Sequence, residues 1–120
     1  MKARQLAIAV VGPCAAGKTT LIAGLEAHGY SARHVAQEHS YVPDMWRKLT
    51  DPDVLIFLDV SYPVSKRRTD SSWQSIIFNK QLDRLVHARE HADLLIETDE
   101  LAPDQVLQVA LRYLEEITHE

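Results

Sequence analysis

The sequence predicts an α/β fold: a single domain with a doubly wound, four-stranded parallel sheet across its 120 residues. Three observations predict it. Strands and helices alternate from end to end by apolar pattern. The run at 6–11 is continuously apolar without alternation, as in a central parallel strand buried on both faces. A glycine-containing segment at 12–17 then joins that strand directly to a helical pattern.

The elements follow in order. Residues 6–11 (Leu-Ala-Ile-Ala-Val-Val) form the first strand. A helix from 18 to about 28 places Leu21, Ile22 and Leu25 on one stripe, and Gly29 stops it. Residues 31–37 read as a second strand, shorter and more polar, nearer an edge. Pro43 opens a short helix through Leu49, and Asp51-Pro52 marks a turn. Residues 54–60 (Val-Leu-Ile-Phe-Leu-Asp-Val) are the strongest strand, ended by Ser61-Tyr62-Pro63. A short helix spans 63–68, and 69–72 is a polar loop. One helix then runs from about Trp73 to His91, with Phe78, Leu82, Leu85 and Val86 on one face. Residues 92–97 form the fourth strand. Pro103 begins the last helix, with Val106, Leu107, Ala110, Leu111, Leu114 and Ile117 toward the core. Internal repeats, low-complexity tracts and linkers are not evident.

Composition narrows the function classes. A net charge of −4 does not favour a nucleic-acid partner. No apolar run approaches the length of a membrane span, so no membrane partner is expected. Residues 1–5 are basic but lead straight into a strand, so no signal peptide is expected. The single cysteine, Cys14, cannot form an internal disulfide, which fits a reducing, cytoplasmic setting. Cys14 reads as an incidental small residue rather than a redox switch.

Chemistry concentrates at Gly12-Pro13-Cys14-Ala15-Ala16-Gly17-Lys18-Thr19, a complete G-x-x-x-x-G-K-[ST] sequence. Strand, glycine loop and helix start arrive in the order that phosphate binding needs. Glycines let backbone N–H groups curl around phosphate oxygens, and the helix N-terminus adds positive potential. Lys18 is placed to reach the β- and γ-phosphates, and the Thr19 hydroxyl to ligate Mg²⁺, with Thr20 beside it. The expected cofactors are therefore ATP and Mg²⁺. GTP is disfavoured: all four glycines (12, 17, 24 and 29) precede residue 30, so no D-x-x-G switch can follow the metal strand. The near-match to N-K-x-D at Asn79-Lys80-Gln81-Leu82-Asp83 has one residue too many and fits a helix. Motifs of larger ATPase motors have no room.

What remains resembles the small-molecule kinase branch of the P-loop NTPases, the shikimate and nucleotide kinases, over most of the chain. Residues 54–68 look like their late strand and following arginine-bearing lid. Residues 92–99 (Ala-Asp-Leu-Leu-Ile-Glu-Thr-Asp) are similar to their last strand, A-D-x-x-I-x-T. The resemblance implies a three-layer P-loop NTPase fold. It implies that of Arg67 and Arg68 one stacks on adenine and another touches phosphate, and that the segment at Pro103 packs on adenine. It also implies that an acidic residue near Glu38 binds or activates an acceptor hydroxyl. The chain departs from these kinases in one place: only residues 39–53 stand where they carry a further helix and strand. The sheet is therefore reduced, and so is the acceptor region.

Lys18 and Glu38 are the catalytic candidates. At the end of the second strand Glu38, after Gln37, would face the γ-phosphate at the carboxyl edge of the sheet; its rival reading is a solvated strand-end charge. Gln37, Glu38 and 39–53 would face the acceptor, with His39 and Asp44 as weaker candidates. Asp59 ends an h-h-h-h-D pattern like a Walker B aspartate, which makes it the second metal candidate beside Thr19; its rival role is a turn residue. His87 and His91 have two-histidine metal spacing but no evident third ligand. Trp46 and Trp73 read as packing residues, or as the floor of an acceptor pocket. The expected function is transfer of the γ-phosphoryl of ATP to a small-molecule acceptor. The alternative is a regulatory or adaptor module that binds ATP with slow or no hydrolysis and signals through a partner or a homodimer.

Overall fold

The computed structural model describes residues 6–69 and 75–118. Four strands form one sheet: β1 (Ala7–Val11), β2 (Ser31–His34), β3 (Val54–Asp59) and β4 (Leu94–Glu97). Their order is β2-β1-β3-β4 and every pairing is parallel. Ile8 stands opposite Ala32 on one side and Val54 on the other. Leu58 stands opposite Ile96.

Parallel neighbours need crossovers, and helices supply them. Helix α1 (Lys18–Ala27) links β1 to β2. A 3₁₀ turn (Gln37–His39) and α2 (Met45–Thr50) link β2 to β3. Helices α3 (Tyr62–Thr69), α4 (Ser75–Arg84) and α5 (Val86–His91) lie between β3 and β4, and α6 (Pro103–Thr118) follows.

The two-residue strand period divides the core between the faces. Ile8, Val10, Val54, Ile56, Leu58 and Ile96 pack with Leu21 and Leu25 of α1 and Val106, Ala110 and Leu114 of α6. Ala9, Val11, Leu55 and Phe57 face the other way, against Val35, Trp46, Leu85 and Ala88. Both faces of β1 and β3 are thus covered, which is why their sequences do not alternate. The edge strand β2 buries only Ala32.

Several boundaries differ from the sequence reading. The second strand stops at His34 rather than 37, because the Gln37 N–H bonds to the Val35 carbonyl at 2.8 Å and turns the chain. The expected 73–91 helix is two helices, α4 and α5, broken at Leu85. Phe78 packs in the α1–α6 core, whereas Leu85 and Ala88 pack in the opposite one. One straight amphipathic stripe cannot serve both faces, and Val86, expected inside, is 50% exposed. Ile117 is also exposed, because α6 runs on past the core after Leu114. Thr69 belongs to α3 rather than to a loop. The rest of the expected 69–72 loop, and Trp73, lie outside the described residues. The segment 79–83 is helical, within α4. No helix among the described residues is long and apolar enough to cross a membrane.

Candidate functional site

The chain leaves β1 between its neighbours β2 and β3, at the carboxyl edge of the sheet. Here Gly12 passes so close to β3 that a Cβ would collide with the Leu58 carbonyl oxygen. The loop then takes left-handed backbone at Ala15 (φ 66) and Gly17 (φ 97). Gly17 adopts this freely. Ala15 does so at a cost of roughly 1–2 kcal/mol. Such turns bring successive N–H groups toward a common concavity.

Gly17 is the N-cap of α1, and no side chain caps that helix. The first N–H groups of a helix have no intrahelical partner. The first turn of α1, which includes Lys18, Thr19 and Thr20, therefore presents uncapped donors and the positive end of the helix dipole. Thr19 and Thr20 are both exposed.

Lys18 folds back over the loop and is only 8% exposed. Its ammonium donates to the carbonyls of Gly12 and Pro13 and, at 2.7 Å, to Glu38 Oε2. Glu38 sits on the 3₁₀ turn, not at a strand end, and is 3% exposed. The solvated-charge reading of Glu38 is thereby excluded. Glu38 Oε1 is buried and has no hydrogen-bond partner among the described residues. His39, next in the turn, holds Nε2 3.9 Å from Glu38 Oε2 and is largely exposed. His34 is held below its ordinary value by partial burial and then by the Lys18 charge, with Glu38 opposing.

Two side chains that the sequence did not single out fix the loop. The Gln81 carbonyl oxygen accepts the Cys14 N–H at 3.1 Å, and its amide donates to Cys14 Sγ at 3.2 Å. Ser65 Oγ donates to the Cys14 carbonyl at 2.9 Å. Gln81 and Ser65 are both buried. They come from α4 and α3, and no local pattern announces contacts 67 and 51 residues away.

Arg67 and Arg68 part company. Arg68 donates to the carbonyls of Ala15 and Thr98 and to Thr98 Oγ1, tying α3 to the loop and to the end of β4. It lines a cavity of about 210 Å³ together with Ala15, Ala16, Gly17, Thr20 and Pro103. Pro103 therefore reaches the loop's cavity while also opening α6. Arg67 lines a different cavity of about 820 Å³, beside Asp59, Arg89 and Asp99.

Both carboxylate oxygens of Asp59 are engaged by other groups. Its Oδ2 accepts from Arg89 at 2.9 Å and its Oδ1 from the Val60 N–H at 3.0 Å. The strand period turns Asp59 the way of Leu55 and Phe57, toward α5, where Arg89 balances its charge. Gln37 does not face an acceptor. It is fully buried, its amide donates to the carbonyls of Val42 and Arg84, and its oxygen accepts the Trp46 N–H. Gln37 thus clamps the segment after β2 onto α4. Asp44 is the N-cap of α2 but makes no side-chain cap bond.

Trp46 packs in the core under α5, and its indole N–H donates to His87 Nδ1 at 3.2 Å. His87 and His91 stack with centroids 4.1 Å apart, and His91 Nδ1 contacts the His87 carbonyl. The pair covers Trp46. No protein-family model matches the chain, and no curated protein matches it significantly.

Proposed function

We propose that the chain is a P-loop nucleoside-triphosphate-binding protein of the small-molecule kinase type. It holds ATP with Mg²⁺ on residues 12–20 and transfers the γ-phosphoryl group to a small acceptor. The observation that carries the reading is Lys18, a nearly buried ammonium held at the mouth of a glycine loop whose helix has no side-chain cap. A nearly buried cation beside the uncapped first-turn N–H donors of a helix suits a polyphosphate.

The residues divide the work. The first turn of α1, with the loop N–H groups other than those of Cys14 and Ala16, holds the phosphates. Thr19, exposed on that turn, has the hydroxyl to ligate Mg²⁺, which supplies charge neutralisation across the phosphates. Lys18 exchanges the Gly12 and Pro13 carbonyls for phosphate oxygens and offsets the charge of the transition state. Glu38, released from Lys18, orients the acceptor hydroxyl and takes its proton as that oxygen bonds to the γ-phosphorus and the bond to the β-phosphate oxygen breaks. The cavity between Arg68 and Pro103 receives the base side of the nucleotide.

One observation favours a second reading, a regulatory module with slow or no turnover. Gln37, which would have served the acceptor, is consumed in clamping the backbone. The test is calorimetric. Mg-ATP should bind the native chain, and Lys18→Ala should weaken it at least about 10–100-fold, the worth of a hydrogen bond between charged groups. Retained affinity refutes the assignment. Glu38→Gln should lower kcat while leaving ATP affinity equal or tighter, since Lys18 loses a competing anion. ATP consumption stimulated by a metabolite fraction supports the kinase; a flat, slow rate supports the module.

A further inference from the structure

We propose that Cys14, Glu38 and His39 form a binding site for a borderline transition-metal cation of the Zn²⁺ class, distinct from any magnesium at Thr19. The cysteine sulfur, a Glu38 carboxylate oxygen and a His39 ring nitrogen all lie within 4.8 Å of one another. Ligand atoms around a tetrahedral zinc ion, with bonds of about 2.0–2.3 Å, stand roughly 3.3–3.8 Å apart. The cluster therefore has to contract by about 1 Å around such an ion. The largely exposed His39 ring is free to swing that far.

An independent observation points to an ion. Glu38 is 3% exposed, yet its Oε1 finds no hydrogen-bond partner among the described residues. A buried acceptor left unmade costs about 1–3 kcal/mol, and a metal bond removes that penalty. Lys18 holds Oε2 at 2.7 Å, which leaves Oε1 as the carboxylate oxygen with no other partner among the described residues to give up for a metal. The Cys14 thiolate offsets one of the ion's two charges, and Glu38 is shared between the ion and Lys18, so binding adds one net positive charge beside the lysine.

The sulfur is already oriented. Gln81 grips Cys14 twice, through its N–H and through its Sγ, as outer partners of metal ligands do. A sulfur, nitrogen and oxygen donor set selects zinc-class ions over Mg²⁺ and Ca²⁺, which want oxygen alone. Three protein ligands with an exposed histidine leave a fourth position for water or another ligand. The site shares Glu38 with the proposed phosphoryl-transfer site but stands whether or not the loop holds a nucleotide.

The experiment is a metal titration of the nucleotide-free protein. One equivalent of Co²⁺ should give a thiolate-to-metal charge-transfer band in the near ultraviolet, and Zn²⁺ should displace it. Cys14→Ala should abolish the band. His39→Ala, a change at an exposed position, should weaken Zn²⁺ at least about 10-fold. Millimolar Mg²⁺ should not compete, and His91→Ala should change nothing. The proposal is overturned if Co²⁺ gives no thiolate band or if Zn²⁺ affinity is equal in Cys14→Ala, His39→Ala and the native chain. Loss of binding in His91→Ala overturns it as well, because the ion would then sit on the α5 histidine pair.

Discussion

The Lys18–Glu38 pair makes a prediction whose sign is unusual. Both groups are nearly buried, at 8% and 3% exposure, and their charged atoms are 2.7 Å apart. Lys18→Met keeps the aliphatic stem but strands the carboxylate, whose second oxygen already lacks a partner. Breaking a buried pair from one side costs about 3–5 kcal/mol. Glu38→Gln is milder, because an amide oxygen still accepts from the ammonium and the carbonyls of Gly12 and Pro13 remain. Its cost is about 1–3 kcal/mol. The two changes are therefore coupled. In the Lys18→Met background, Glu38→Gln removes an uncompensated buried charge and should restore roughly 1–3 kcal/mol where in the native chain it costs that much, a coupling of about 2–6 kcal/mol, at the upper end of contact couplings or above it. For a domain of this size the restoration is roughly 4–15 °C in Tm. Urea unfolding of the four proteins at neutral pH, without nucleotide or metal, gives the cycle. If Glu38→Gln destabilises Lys18→Met as much as it destabilises the native chain, the pair is not coupled and the buried-charge reasoning fails.

The other predictions use different contacts. Gly12→Ala should cost about 1–3 kcal/mol in denaturant unfolding, because its methyl group meets the Leu58 carbonyl; an unchanged midpoint refutes the close approach. Arg68→Ala should lose about 1–2 kcal/mol with its bonds to Ala15 and Thr98, whereas Arg67→Ala should stay within about 0.5 kcal/mol; equal losses would contradict their separation. Burial and the Lys18 charge favour neutral His34 in the fold, so its contribution is fully present above its ordinary value of 6.5 and declines as pH falls through the lower folded value. His34→Gln should flatten the fall in stability between about pH 7 and 5, and an identical pH profile would remove His34 as its cause.

Much of the architecture was legible because it rests on local rules. The unbroken apolar runs of β1 and β3 follow from burial on both faces, and short polar β2 lies at the edge where one side is open. Gly12 and Gly17 mark a turn because backbone geometry restricts those positions to glycine, and residue order alone makes that visible. Residue type also singled out Lys18 and Glu38 as candidates. Their 2.7 Å contact depends on β2 lying beside β1 and on the tight turn after it. Other features depend on long-range packing, which no window of sequence contains. Gln81 and Ser65 reach Cys14 only because α4 and α3 fold over the loop. Leu85 breaks a helix because the two sheet faces need opposite stripes. Arg67 and Arg68 are adjacent and alike in sequence, but neighbouring positions on a helix point about 100° apart, so one grips the loop and the other faces a separate cavity. Local propensity and residue chemistry thus determined the strands, the turn and the charged groups. The tertiary structure decided which of those groups meet, because contacts across the chain depend on how the helices pack against the sheet.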